Sequence, residues 1–191
     1  LVGPLDGARL AEVIERPADR AGVSFAAGLV GRMVADTGGG DALPLLAHTL
    51  AALHERAHVR GTGTITIGDY EDLGGVVGAL RRSANEEHRR LSERGVGALV
   101  LPTLSRLVTV GPEGQPTRRR LARAAFRGRE NEVVEAFIDA RLLTSTEVDG
   151  EAVVEVAHEA LLRQWPPLAD VIERDREALQ LRSELERQAQ D

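Results

Sequence analysis

The sequence of 191 residues has no cysteine, no lysine and few aromatic side chains. The absence of cysteine excludes disulfides, thiolate catalysis and cysteine-ligated zinc. Aromatic residues make up only 3% of the chain, which argues against base-stacking nucleic-acid modules, because those modules need exposed rings. The core must therefore be built mainly from leucine, valine and alanine. All 24 basic residues are arginine, as is typical of a GC-rich genome.

The chain also has no long apolar run and no excess of positive charge. No segment approaches the roughly 20 apolar residues that a membrane-spanning helix requires, and no signal peptide is visible. We therefore expect a cytoplasmic protein without a membrane partner. The net charge of −6 disfavours a general polyanion binder. The chain opens without a methionine, and we expect an excised segment of a longer protein.

The first part of the chain, residues 1–60, has the apolar spacing of helices. Three helices are predicted there. The first ends near Pro17, and the third carries Pro44 in its first turn, where the missing N–H costs nothing. Glycines and alternating isoleucines over residues 61–77 predict a linker with a short extended piece. We expect residues 1–60 to form a small helical bundle.

The second part has the element order of a winged-helix domain over residues 78–165. Two helices over residues 78–109 are followed by a third helix over 129–141 and by two extended runs over 142–157. Asp149 and Gly150 separate these runs and predict a hairpin, because a type I′ turn needs positive φ at both positions. A charged amphipathic helix is predicted over 166–191. The expected fold class is mainly α: a helical bundle, a winged-helix domain with one β-hairpin, and a C-terminal helix.

The segment HERAH, residues 54–58, matches the H-E-x-x-H pattern of zinc hydrolases. On a helix His54 and His58 share a face, and Glu55 can act as general base for a zinc-bound water. Such an enzyme needs a substantial sheet before this helix, whereas the preceding residues are predicted to be mostly helical. We therefore predict two exposed histidines and no metal site.

Six arginines lie among the thirteen residues 117–129. They could contact phosphate, in DNA or in a nucleotide, or they could form a solvated face that pairs with nearby carboxylates. The predicted helix that follows carries four acids, which the phosphates of a major groove would repel: Glu130, Glu132, Glu135 and Asp139. DNA binding is therefore disfavoured. A DNA-binding transcriptional regulator stays as the alternative to a regulatory or protein-binding module.

The segment VVEVAHEALLRQW, residues 153–165, changes from a strand pattern to a helical pattern at a His-Glu pair. Alternation along the strand places His158 on the same face as Val154 and Val156. On these residues alone, His158 is predicted to be a half-buried histidine at a strand–helix corner.

The chain resembles, over about residues 3–185, the C-terminal part of the bacterial "novel STAND" NTPases, which are often fused to WD-repeats. The resemblance implies that residues 1–60 are the helical lid that follows a P-loop core, that residues 78–165 are a winged-helix domain, and that the tail leads to a sensor. It is carried by six segments in order: GPLDGARLAEVIERPADRAGVSF, GGGDALPLLAHTLAALHER, ITIGDYEDLGGVVGALRRSANE, TRRRLARAAF, DARLLTS and VEVAHEALLRQWPPL.

The resemblance also implies two nucleotide-binding residues. In relatives of the plant-resistance and apoptotic type, the proline of a Gly-Leu-Pro motif lies against adenine. Pro44 matches that proline, with alanine in place of the glycine. In the same relatives, the histidine of a Met-His-Asp motif touches the ADP β-phosphate. His158 matches that histidine, with Ala157 in place of methionine and Glu159 as the acid.

The sequence has no G-x-x-x-x-G-K-[ST] signature. We therefore expect no catalytic residue, no enzymatic activity and no cofactor in this chain alone. The resemblance implies ATP or ADP with Mg²⁺ in the full-length protein, which is expected to be an ATPase switch. The expected function is regulatory, coupling nucleotide state to domain rearrangement. The expected partners are the NTPase core, a WD-repeat or other sensor domain of the same polypeptide, and other proteins.

Overall fold

The computed structural model describes residues 7–37, 43–111 and 113–188. The chain divides into two compact units, residues 1–80 (unit 1) and 81–191 (unit 2). The fold is mainly helical with small sheets, in agreement with the predicted class. Unit 1 contains helices α1 (Gly7–Arg20), α2 (Leu29–Thr37), α3 (Leu43–Val59) and α4 (Ile67–Leu73), strands β1 (Ser24–Phe25) and β2 (Thr64–Ile65), and the start of α5 (Gly75–Glu93).

The core of unit 1 is formed by leucine, isoleucine and methionine side chains from α1, α2 and α3. Strands β1 and β2 add a short parallel pair that brings Phe25 opposite Ile65. Helix α1 continues through Pro17 to Arg20 instead of ending near the proline. A proline in the last turn removes a single helical hydrogen bond, and its own carbonyl still accepts from the N–H of Ala21 at 3.1 Å. The main buried side chains are Leu10, Ile14, Leu29, Met33, Leu46 and Leu53.

Within the predicted linker, residues 61–77, the structure has strand β2, helix α4 and the first turn of α5. Helix α4 begins with a capping box. The hydroxyl of Thr66 accepts from the N–H of Asp69 at 3.2 Å, and the carboxylate of Asp69 accepts from the N–H of Thr66 at 2.8 Å. Tyr70 and Leu73 are buried and join the core of unit 1. The alternating residues Ile65 and Ile67 indicate a strand, although the Thr66–Asp69 capping pattern of a helix overlaps with them.

Unit 2 contains the remainder of α5, five further helices, a 3₁₀ helix and five strands among its described residues. Strands β3 and β4 form an antiparallel pair, and β5, β7 and β6 form an antiparallel sheet in that order. The elements are α6 (Gly97–Ser105), β3 (Val108–Val110), β4 (Pro116–Arg118), β5 (Leu121–Ala122), the 3₁₀ helix (Arg123–Ala125), α7 (Arg129–Asp139), β6 (Leu143–Val148), β7 (Glu151–Val156), α8 (Ala160–Gln164), α9 (Pro166–Arg174) and α10 (Arg176–Gln188).

The predicted hairpin is confirmed in strands β6 and β7. Val148 pairs with Glu151 across the turn, and φ is 52° at Asp149 and 80° at Gly150. Both values are positive, as a type I′ turn requires. The third strand, β5, has only two residues, and it lies on the other side of β7 with Leu121 opposite Val154.

The helix predicted over 166–191 is two helices in the structure, because α9 ends before Asp175 and α10 begins at Arg176. Helix α10 lies against β3: the hydroxyl groups of Ser183 and Thr109 are 2.6 Å apart. Helix α10 also buries Leu179. Among the described residues, no helix combines the length and the apolar character that crossing a membrane would need.

Candidate functional site

His158 lies at the corner between strand β7 and helix α8, and its side chain is half-buried. Its Nδ1 atom accepts a hydrogen bond from the N–H of Ala160 at 3.0 Å. Its carbonyl oxygen accepts from the N–H of Leu161 at 3.0 Å. The strand before it ends with Val156, which is fully buried. His158 therefore occupies the half-buried strand–helix corner that the sequence predicts, and its ring caps the first turn of α8.

The hydrogen bond at Nδ1 determines which tautomer the ring adopts. A ring nitrogen that accepts a hydrogen bond carries no proton, so the neutral imidazole of His158 has its hydrogen on Nε2. An Nε2–H group is a donor that suits a phosphate oxygen. Protonation of Nδ1 would remove the acceptor that Ala160 uses. The tautomer that accepts from Ala160 is therefore the one with its proton on Nε2.

The other end of α8 is fixed by polar side chains of helix α5. Trp165 has no exposed surface, and its indole N–H donates to Oδ1 of Asn85 at 2.8 Å. The ring of His88 meets the Trp165 ring edge-on, with 5.8 Å between centroids. Arg81 donates to the carbonyl oxygen of Gln164 and, at 3.2 Å, to its side-chain oxygen. We call Arg81, Asn85, His88, Gln164 and Trp165 the Trp165 clasp.

The Trp165 clasp is absent from the sequence-based set of functional residues. The signal for it is the spacing of Arg81, Asn85 and His88, which places three polar residues on one helical face at i, i+4 and i+7. The single tryptophan of the chain would need a partner for its N–H when buried. Together, His158 and the Trp165 clasp form hydrogen bonds at both ends of α8.

Pro44 is the second residue of helix α3, in unit 1, and its side chain lies outside the described part of the structure. One turn further along α3, His48 is buried, and its Nε2 atom lies 3.3 Å from the carbonyl oxygen of Ala79. His158 belongs to unit 2. The two predicted nucleotide-binding residues therefore belong to different units.

The whole chain matches one known protein family. The family model of Novel STAND NTPase 1 matches residues 1–191. The chain belongs to this family. No curated protein and no solved structure matches it. The match covers both units of this STAND NTPase chain, including the whole stretch from α3 through His158 and the Trp165 clasp.

In this STAND NTPase chain, the HERAH segment lies at the exposed end of α3. His54 and His58 are both exposed, as predicted, and their rings stack with 6.5 Å between centroids. Among the described residues, no group of three histidine or carboxylate side chains is arranged to hold a metal ion. The pair therefore has the geometry of two neighbouring surface histidines.

Zinc is expected to leave the thermal stability of this chain unchanged. Two histidines provide only half of a tetrahedral ligand set, so a tenfold excess of zinc should shift the Tm of the wild-type chain no more than it shifts the Tm of His54→Ala. Differential scanning fluorimetry measures this directly. A zinc-dependent rise in Tm that disappears in His54→Ala would contradict the surface-pair interpretation.

The arginine-rich stretch is largely neutralised by acids of unit 2. Arg119 pairs with Glu186 at 2.6 Å, and Arg120 pairs with Glu155 at 2.9 Å. Arg123 contacts Glu135 on helix α7. The acids on α7 are paired as well, for example Glu130 with Arg106 and Glu132 with Arg94. These ion pairs join different elements of unit 2. Of the two interpretations of the arginines, a solvated face that pairs with nearby carboxylates therefore fits best.

Proposed function

We propose that this chain is the lid and winged-helix portion of a bacterial STAND signalling NTPase, and that it couples ADP or ATP binding to domain rearrangement. In this proposal, residues 1–60 are the lid, 61–77 are its connection, 78–165 are the winged-helix domain, and 166–191 lead to a sensor such as a WD-repeat array. The membership of the whole chain in the Novel STAND NTPase 1 family supports this assignment.

The order of elements in unit 2 supports the winged-helix assignment. Helices α5, α6 and α7 are followed by the β6–β7 hairpin, which is the order of that domain. Strand β5 pairs with β7 on the side away from β6, so the hairpin is anchored to the segment that precedes α7. Ion pairs occupy most of the arginines that would otherwise contact DNA, and we therefore assign this domain to regulation.

The hydrogen bond between Nδ1 of His158 and the N–H of Ala160 carries the nucleotide-sensing part of the proposal. In the neutral ring this bond places the proton on Nε2, and a phosphate oxygen of bound ADP is the proposed acceptor of that N–H. Pro44 is proposed to lie against the adenine. A ligand that contacts the lid and the winged-helix domain in only one arrangement stabilises that arrangement over the others.

The remaining parts of the switch are proposed to lie in the NTPase core of the same polypeptide. The 191 residues include no P-loop signature, so we assign nucleotide phosphate binding, Mg²⁺ and hydrolysis to that core. This chain by itself is proposed to have no ATPase activity and to function in the cytoplasm. Its proposed partners are the core, the sensor and other proteins.

A set of three substitutions at position 158 of the full-length protein tests the proposal. His158→Ala is expected to weaken ADP retention about 10- to 100-fold, because a hydrogen bond to a charged group contributes about 1.5–3 kcal/mol. His158→Asn keeps an acceptor for the Ala160 N–H but has no donor at the Nε2 position. His158→Gln places an amide near the Nε2 position, and partial retention is expected. Dissociation of labelled ADP gives the rates.

The asparagine variant separates a role in sensing from a role in folding. If His158 only caps α8, His158→Asn should retain both Tm and ADP. If His158 binds phosphate, His158→Asn should retain Tm and lose ADP as His158→Ala does, with a shift towards the open, oligomeric state. Arg163→Ala, an exposed change on the same helix, is the control. Wild-type ADP retention and oligomerisation in both His158→Ala and His158→Asn would refute the proposal.

A further inference from the structure

The outer half of the β6–β7 hairpin extends beyond the core of unit 2. Residues 145–152 are all exposed, and β6 is an outer strand of its sheet. The strand sequence LTSTEV contains no proline and no basic residue, and its pairing with β7 is continuous, without a bulge. Proline, basic side chains and bulges commonly prevent another strand from pairing with an edge. The free edge of β6 has none of these three, and its one charged side chain is Glu147.

The register shows which backbone groups of β6 point away from β7. In a two-residue hairpin the closing residues, here Val148 and Glu151, exchange hydrogen bonds. The direction then alternates along the strand. The carbonyl oxygen of Leu142 accepts from the N–H of Ala157 at 3.0 Å, which agrees with this alternation. The backbone groups of Ser145 and Glu147 therefore point outward and are available to a further strand.

Charged side chains of opposite sign lie at the two ends of this edge. Arg141 precedes β6 by two residues, whereas Asp149 and Glu151 follow it in the turn and at the start of β7. All three are exposed, and none forms an ion pair within the described residues of the chain. The edge therefore has a cation at its beginning and the Asp149 carboxylate at its end.

We propose that β6 pairs in antiparallel orientation with β6 of a second copy of this chain, around a two-fold axis. The outward-facing residues pair when the two-fold axis passes at Ser145, and Arg141 then lies beside Asp149 in the turn of the second copy. The two-fold axis produces this ion pair twice.

This charge arrangement favours a second copy over an unrelated strand. An unrelated peptide would need an anion and a cation at matching positions, whereas antiparallel self-pairing supplies both from the same edge. The contact involves one short strand from each chain, so the buried area falls below the roughly 1,200 Å² of stable complexes. The dimer is accordingly weak, and it forms at high local concentration.

Sedimentation velocity and amide exchange on the full 191-residue chain test the proposal. Between about 10 µM and about 1 mM chain, we expect a reversible monomer–dimer equilibrium. Over the same range the amides of Ser145 and Glu147 should become protected from exchange. The amides of Thr144 and Thr146 should be protected at every concentration, because β7 already pairs with them. A chain that stays monomeric, or a dimer without protection at Ser145 and Glu147, would overturn the proposal.

Two variants test the backbone and the charges separately. Ser145→Pro removes an outward N–H without removing a bond to β7, and it should weaken dimerisation at least tenfold. Arg141→Glu removes both ion pairs and should weaken it by roughly 2- to 30-fold. Adding Asp149→Arg to Arg141→Glu should restore it.

Sodium chloride at about 0.5 M should weaken the wild-type dimer, since exposed ion pairs are screened. A dimer insensitive to both variants forms elsewhere and would refute the assignment. If the chain remains monomeric but binds an arginine-rich peptide, the partner of β6 is a different protein, and the proposal of a second copy is wrong.

Discussion

Replacing Gly78 with alanine is expected to lower the free energy of unfolding of unit 1 by about 3 kcal/mol, at the upper end of what overpacking costs. A Cβ atom at position 78 would lie far inside 3.0 Å of the carbonyl oxygen of Leu73 and 2.9 Å from its carbonyl carbon. Both atoms belong to the backbone at the end of α4, and Gly74, with φ of 80°, closes that end in the left-handed region. The neighbour therefore cannot yield as a flexible side chain would.

Gly31→Ala is the matched control for Gly78→Ala. Gly31 lies in helix α2 of the same unit, and a Cβ built there meets nothing within 4 Å. Alanine at a free helical position usually stabilises by about 0.5–1 kcal/mol. Chemical denaturation followed by hydrogen exchange of the backbone amides of Tyr70 and Leu73 reports on unit 1. Equal stability of the two variants would mean that α4 and α5 do not approach each other closely at Gly78.

Local turn chemistry is the part of this fold that the sequence predicts best. Asp149 and Gly150 specify a type I′ turn through their own conformational preferences, and the hairpin forms where the dipeptide predicts it. Strand β5 is too short for periodicity to reveal it, because two residues become a strand only when β7 provides the partner. The contact between α10 and β3 likewise joins residues 74 positions apart, and local patterns do not reveal such a contact.

The same distinction applies to the candidate site. Alternation along β7 correctly predicts that His158 is half-buried at a corner. The tautomer does not follow from alternation, because it depends on the Ala160 N–H pointing at Nδ1. The Trp165 clasp joins residues about 80 positions apart, and a single sequence gives the polar spacing on α5 without giving its target. The family resemblance implies a nucleotide contact for His158, and the structure adds the hydrogen bond between its Nδ1 atom and the Ala160 N–H.

Asp69→Asn is expected to destabilise unit 1 by about 2 kcal/mol near neutral pH, within the range for a hydrogen-bonded charged group. The carboxylate of Asp69 is buried and pairs with Arg60. It also accepts from the backbone N–H and the hydroxyl of Thr66, both at 2.8 Å. The hydrogen bond from Arg60, together with those from Thr66, holds the pKa of Asp69 well below its ordinary value, although burial acts in the opposite direction.

The lowered pKa fixes the pH dependence of this contribution. An unfolded aspartate takes up its proton near pH 4, whereas folded Asp69 stays charged to lower pH. Its stabilisation is therefore fully present above about pH 4 and is lost progressively as the pH falls further. The stability difference between wild type and Asp69→Asn should be largest near pH 7 and should shrink below about pH 4.

Asp19→Asn, an exposed change of equal charge in the same unit, controls for net charge and should have little effect at any pH. Urea denaturation of the three chains from about pH 7 down to about pH 3 measures the dependence. A wild-type advantage over Asp69→Asn that persists unchanged in acid would mean that the Asp69 carboxylate is not the stabilising group. In that case only Thr66 would cap α4, and the packing of Tyr70 and Leu73 would be the main interaction that stabilises the start of this helix.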